Sequence, residues 1–137
     1  VSNFITQGLR GQPITVYGDG LQTRSWTYID DVADALERFF WRDQSEFAGP
    51  VNIGNDREVS VLDVAKYVQR RFPGSPIEFA PSPPQDPTNR RPDLTLANKV
   101  IPGWAADIAY EDGVDRTIEW FRGHMGQTHE RAPQLQG

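Results

Sequence analysis

The run Ile14-Thr-Val-Tyr-Gly-Asp-Gly-Leu-Gln-Thr-Arg-Ser-Trp-Thr-Tyr-Ile-Asp-Asp31 limits the fold more than any other stretch of this chain. Ile14 to Tyr17 has the β-branched and aromatic content of a short strand, and Gly18-Asp-Gly20 gives the backbone freedom for a turn directly after it. Beyond the turn, Val32, Ala35, Leu36, Phe39 and Phe40 fall at the spacing of one helix face, with Asp30 or Asp31 placed to accept the unpaired N–H groups of the first turn. Strand, glycine turn and capped helix in succession point to an α/β fold, and the stretch as a whole reads as a binding edge.

The rest of the chain follows the same alternation. Val1, Phe4, Ile5 and Leu9 are spaced like a helix face that Gly11 and Pro13 end. Val51-Asn-Ile53 is a buried-strand candidate broken by Gly54-Asn55, and Ser60 with Asp63 approximates a capping box ahead of a helix through Val61, Ala65, Val68 and Phe72. Ile77-Glu-Phe79 is a further strand candidate. After Phe79 the chain becomes loop: seven of the 11 prolines lie from Pro73 to Pro92, and loops with this much proline are stiff. Asp93 is placed to cap a helix from Leu94 to about Ile101, and Val114, Ile118 and Phe121 define a last helix ending near Gly123. Residues 1–126 are expected to form one lobe and residues 127–137 a frayed tail, with His124, His129 and Arg131 in solvent.

Composition removes several function classes. At 137 residues the chain suits one domain, and it is too short for a dinucleotide-binding domain plus a substrate domain. A net charge of −5, with Arg70-Arg71 and Arg90-Arg91 as isolated basic pairs, gives no basic stripe for a nucleic-acid backbone. No run reaches the roughly 18 apolar residues of a membrane span, and the N-terminus lacks a signal pattern. The lack of cysteine rules out disulfides and thiolate metal sites and is compatible with a reducing, cytoplasmic setting. His124 and His129 have no carboxylate cluster with them, so no metal site is expected.

Arg24 is the first candidate for chemistry. It stands between the glycine turn and Trp26 and Tyr28, where a guanidinium can be held to present its fork to a phosphate, or can pair with Asp30 or Asp31 instead. Arg90 and Arg91 precede a proline that favours extended geometry, so their side chains diverge and only one can face a shared ligand. Ile53-Gly54-Asn55, Ser60, Asp63 and Asp93 read as turns and caps, and Phe39, Phe40, Trp41, Trp104, Trp120 and Phe121 as core.

Taken together, Gly18-Asp-Gly20, Gln22-Thr-Arg-Ser25 and Asn89-Arg-Arg-Pro-Asp93 resemble the second half of extended short-chain dehydrogenase/reductases acting on nucleotide sugars. The likeness runs from about Val1 to Arg122 and favours the UDP-glucuronic acid decarboxylase branch over the dTDP-glucose 4,6-dehydratase and UDP-sugar 4-epimerase branches. It departs from that branch at Val100-Ile-Pro-Gly-Trp104 and Ala105-Ala106, which bear on the end of one helix. The resemblance implies that Arg24 and Arg90 contact the diphosphate and that Gln22 belongs to the substrate site. It also implies that Thr15, Val16 and Tyr17 lie beside the base, that Asn3 lies near the ligand, and that Arg91 is solvated.

For the complete protein the resemblance implies a homodimer converting UDP-glucuronate to UDP-xylose and carbon dioxide with tightly held NAD. Neither Gly-x-x-Gly-x-x-Gly nor Tyr-x-x-x-Lys occurs here, so no catalytic or cofactor-binding residue is assigned to this chain. The expectation is therefore the small C-terminal lobe of a longer polypeptide, inactive alone, with the NAD site and the main parallel sheet upstream. Dehydratase or epimerase activity on the same scaffold, and a catalytically inert binding domain, are the alternatives.

Overall fold

The computed structural model describes residues 1–42, 49–82 and 89–125. The chain opens with α1 (Ser2–Leu9), whose buried residues Phe4, Ile5 and Gly8 form one face, and Gly11 at φ 65° turns the chain out of the helix. β1 (Ile14–Tyr17) follows, with Ile14 and Val16 buried and Tyr17 exposed. After the turn come β2 (Thr23–Ser25) and α2 (Ile29–Trp41). β3 (Glu58–Ser60) leads directly into α3 (Val61–Arg71), where Ser60 Oγ accepts the Asp63 N–H at 3.0 Å and donates to Asp63 Oδ2 at 2.7 Å, a reciprocal cap. β4 (Ile77–Ala80), β5 (Asn89–Arg90), α4 (Thr95–Val100) and α5 (Tyr110–His124) complete the order.

The strands form two small sheets. β1 pairs in parallel with β4, from Ile14 opposite Ile77 to Tyr17 opposite Ala80. β2 is the centre of the other, antiparallel to β3 on one side and parallel to β5 on the other. The glycine turn joins the two sheets. Gly20, at φ 74°, has its own Cα where a Cβ would come within 2.8 Å of Val16 Cγ1 and 2.9 Å of Leu62 Cβ, so no larger residue fits without displacing its neighbours. Its carbonyl accepts the Leu62 N–H at 2.9 Å, and the Gln22 carbonyl accepts the Val61 N–H at 3.0 Å, which pins the turn to the start of α3.

The main core lies where α1, β1, α3 and α5 meet, around Ile5, Ile14, Val16, Val64, Val68 and Ile118. A smaller cluster of Ala35, Ala97, Ile101 and Trp104 joins α2 to α4, and Trp104 Nε1 donates to the Asp31 carbonyl at 3.0 Å. A third tie links α3 to α5: Arg71 meets Asp115 through Nε at 2.9 Å and Nη2 at 2.6 Å, and the Tyr67 hydroxyl is 2.9 Å from Asp115 Oδ2. No helix among the described residues is long and apolar enough to cross a membrane.

The α/β expectation holds, with five helices, short strands and a two-stranded parallel sheet. Four local expectations do not. No side chain caps α2: Asp31 Oδ2 instead accepts the Ile108 N–H at 3.2 Å, and Asp30 pairs with Arg116 at 3.2 Å. Val51 to Ile53 is not a strand; Val51 and Ile53 only pack against the smaller cluster. The proline-rich loop contains β5, which a two-residue segment gives no periodicity to announce. Phe40, Trp41 and Trp120 are exposed rather than core, since a helical apolar spacing does not say how much of a face is covered. The expected tail, including His129 and Arg131, lies outside the described residues.

Candidate functional site

Because β2 is central, each of its residues has a neighbour on both flanks. Arg24 stands opposite Val59 on β3 and opposite Arg90 on β5. Directly paired residues project from the same face of a sheet, so the two arginines, far apart in sequence, leave one face side by side. Arg24 is half-buried, with Nη1 donating to the Thr23 carbonyl at 2.7 Å, while Arg90 is exposed. Two guanidinium groups side by side on adjacent strands form a site that an anion such as a diphosphate can bridge.

The Thr23 hydroxyl donates to Glu58 Oε1 at 2.6 Å on the opposite face of the sheet. Arg91, the next residue after Arg90, turns away from it and lies 3.6 Å from Asp56 Oδ2, with both side chains more than half exposed, so the pair is weak. Asp93 Oδ1 accepts the Thr95 N–H at 2.9 Å, and the hydrogen bond with the Thr95 side chain, then this one, hold its carboxyl below the ordinary carboxylate range. These contacts build the loop that delivers Arg90.

β1 is the second component. Its alternate residues face β4, with the Ile14 N–H donating to the Pro76 carbonyl at 2.8 Å and the Gly18 N–H to the Ala80 carbonyl at 2.9 Å. Thr15 and Tyr17 therefore turn their backbone groups to the opposite, open edge. On that edge Gln7 Oε1 accepts the Thr15 N–H at 3.1 Å while Gln7 Nε2 donates to Thr15 Oγ1 at 3.0 Å. Gln22 Nε2 donates to the Tyr17 carbonyl at 3.0 Å. Val16 has a fully buried side chain and backbone groups facing β4, which leaves it nothing on the open edge.

Asn3 is exposed in the first turn of α1, and its carbonyl accepts the Thr6 hydroxyl at 3.0 Å. Its neighbours Val1 and Ser2 line a cleft of about 270 Å³ with Trp26, Thr27, Tyr28 and Tyr110, so the start of α1 lies beside the segment that leaves β2. Burial, and then the hydrogen bond with Glu111, push the Tyr110 hydroxyl up to about 12. Gln7 was not among the residues singled out from sequence. The signal for it is a polar side chain placed between the buried residues Phe4 and Gly8 of α1.

The surroundings of this site have counterparts in known proteins. Residues 1–54 match the family described as NAD dependent epimerase/dehydratase family. UDP-glucuronic acid decarboxylase 4 of Arabidopsis thaliana is 42% identical over 123 residues, covering 89% of this chain and 27% of that protein. UDP-glucuronic acid decarboxylase 1 of Danio rerio is 38% identical over 122 residues, 88% of this chain and 28% of that protein. The chain is similar to the epimerase/dehydratase family in its first 54 residues and to these decarboxylases over most of its length. It thus spans little more than a quarter of the length of these relatives. Among solved structures, the UDP-glucose 4-epimerase of Thermotoga maritima, determined with UDP-glucose, aligns with a TM-score of 0.76 at 27% identity over 89% of this chain and 38% of that one. An epimerase of Methanothermobacter thermautotrophicus aligns with a TM-score of 0.83 at 21% identity over 91% of this chain and 37% of that one, a likeness of fold.

Proposed function

We propose that this chain is the nucleotide-sugar-binding portion of an NAD-dependent UDP-glucuronate decarboxylase, a polypeptide that converts UDP-glucuronate to UDP-xylose and carbon dioxide. The observation that carries the reading is the register of β2 and β5, in which Arg24 and Arg90 leave one sheet face together. In this role their planar forks hold the diphosphate, and the open edge of β1 lies along the base. Binding energy far from the reacting carbon then positions the sugar. The decarboxylases among the relatives support the substrate and the reaction.

The described residues do not fit NAD. A dinucleotide cradle needs a glycine turn that runs from a strand into a helix N-terminus, whereas Gly18 to Gly20 runs from β1 into β2. NAD would therefore be held by polypeptide beyond these residues, and the part played here is to bind and orient the nucleotide sugar.

The test is made on the complete polypeptide. Arg24→Ala and Arg90→Ala should each weaken UDP binding by roughly 1.5–3 kcal/mol, the scale of hydrogen bonds to charged groups. Arg91→Ala should cost little, and the two clamp losses should combine non-additively because both arginines address one diphosphate. UDP should compete with substrate better than dTDP or GDP, and UDP-glucuronate should release carbon dioxide. A win for dTDP moves the assignment to a dehydratase, and a product epimerised at C4 without carbon dioxide moves it to an epimerase. UDP affinity indifferent to both arginines removes the clamp.

A further inference from the structure

β5 has two residues, so only two pairings with β2 hold the register that sets Arg90 beside Arg24. A slip of one residue would send Arg90 to the opposite face of the sheet. Beyond the sheet, the segment from Asn52 to Asn55 lies between the continuations of both strands. On the β2 side, Thr27 Oγ1 accepts the Asn55 N–H at 2.8 Å. On the β5 side, Asn52 Nδ2 donates to the Asp93 carbonyl at 3.2 Å. Gly54 is buried between the two, where an added Cβ would stand 3.3 Å from Pro92 Cγ and 3.5 Å from Thr27 Oγ1.

We infer that Thr27 and Asn52 are positioning residues, which act through this segment to hold Arg24 and Arg90 side by side towards one anion. The inference rests on the proposed reading of the two arginines as a diphosphate clamp, and it adds what sets the register of that clamp.

Thr27 follows Arg24 by three residues and Pro92 follows Arg90 by two, so a slip of either strand along the other would pull one of them off the segment. The segment itself is held in place. Asn55 is 4% exposed, and its Oδ1 accepts the Arg57 N–H at 2.8 Å and Arg57 Nε at 3.2 Å, which makes the turn that leads the chain into β3. Arg57 Nη2 in turn donates to the Ala106 carbonyl at 2.5 Å. Because β3 is the other neighbour of β2, this turn meets all three strands of the sheet at one end. Removing the Thr27 hydroxyl takes the acceptor from the Asn55 N–H, and a buried donor left unpaired carries its desolvation cost. The turn can avoid that cost only by moving, and Pro92 moves with it.

The test uses the complete polypeptide and three probes: UDP, inorganic pyrophosphate, which reads the arginines alone, and uridine, which lacks the diphosphate. Thr27→Val removes the acceptor and should weaken UDP and pyrophosphate binding by roughly threefold to tenfold, with uridine affinity unchanged. In that variant Arg90→Ala should cost about threefold or less, against about tenfold or more in the otherwise unaltered protein, because Arg90 has already lost its place. Thr27→Ser keeps the hydroxyl and should restore both the binding and the full cost of Arg90→Ala. Asn52→Ala attacks the β5 side from an exposed position, should weaken the same two probes by about twofold, and serves if Thr27→Val does not fold. Pyrophosphate affinity unchanged in both variants overturns the inference, as does an undiminished cost of Arg90→Ala in the valine variant or a serine variant that behaves like valine. An equal loss of uridine also overturns it, since general damage to the lobe would give that result. If instead neither Arg24→Ala nor Arg90→Ala weakens pyrophosphate binding in the otherwise unaltered protein, it is the clamp reading that fails.

Discussion

α1, β1, α3 and α5 enclose a core in which Ile5, Ile14, Val16, Val64 and Val68 are all 0% exposed. α2, by contrast, has Leu36, Phe40 and Trp41 exposed at 54%, 68% and 76%, and it buries little beyond Asp31 and Ala35. Both regions show helical apolar spacing in the sequence. The difference is that the first is enclosed by the described residues, whereas α2 leaves Leu36, Phe40 and Trp41 more than half exposed. Periodicity shows that a helix has an apolar face, and it is silent on whether the complementary surface lies in the same segment.

The largest effect that can break this comparison is a cavity in each region. Ile14→Ala in this chain should lose roughly 2–5 kcal/mol of stability, because the residue is enclosed on every side. Leu36→Ala should change it by no more than about 0.5 kcal/mol, the range of surface substitutions. Urea denaturation measures both. Equal losses would mean that α2 is packed as well as the core, and the contrast would fall.

The same contrast explains how far the sequence could be read. α1, β1, α3, β4 and α5 were legible because each is a local pattern whose partner is another local pattern in the same chain. The Ser60 cap was legible because it needs only four consecutive residues. Arg24 and Arg90 could be picked out separately by residue type and family likeness, but their pairing across β2 and β5 is a long-range register that no local spacing encodes. β5 is too short to have a period, and only the strand that Gln7 bonds sets it apart from other polar helix residues. Val51 to Ile53 read as a strand because it is apolar, yet a strand needs a neighbour to pair with, and the described residues provide none.

An intermediate effect concerns the α3–α5 tie, which belongs to the well-packed region. The Arg71 guanidinium holds the Asp115 carboxyl below its ordinary value of 3.8, and the hydrogen bond from the Tyr67 hydroxyl adds to this. A carboxylate whose pKa is lower in the folded state contributes stability that is fully present above 3.8 and is lost as pH falls through the lowered value. Both Arg71 and Asp115 are about 40% exposed, so solvent screening keeps the contribution small, on the order of 1 kcal/mol or less. Asp115→Asn should therefore be less stable than the unaltered chain near neutrality and should converge with it in acid. A stability difference that does not shrink on acidification would mean that the tie acts through packing and not through charge.

The smallest change in stability should accompany the largest change in surface behaviour. Leu36 and Phe40 lie four residues apart on α2, so they lie on the same side of the helix, and both are more than half exposed. Contiguous exposed apolar surface favours association between molecules, whereas isolated exposed side chains do not. The Leu36→Ser and Phe40→Ser double variant should therefore bind less of an apolar-sensing dye than the unaltered chain. Its sedimentation should also depend less on concentration, while its unfolding midpoint stays within the range set by two surface substitutions, about 1 kcal/mol in total. Two serines also lower the helix propensity of α2 slightly, a cost that runs against any gain and makes the expected stability change small in either direction. If dye binding and association are unchanged although the variant is folded, the apolar side chains of α2 are not the sticky surface. The contrast between the two regions would then be one of packing density alone.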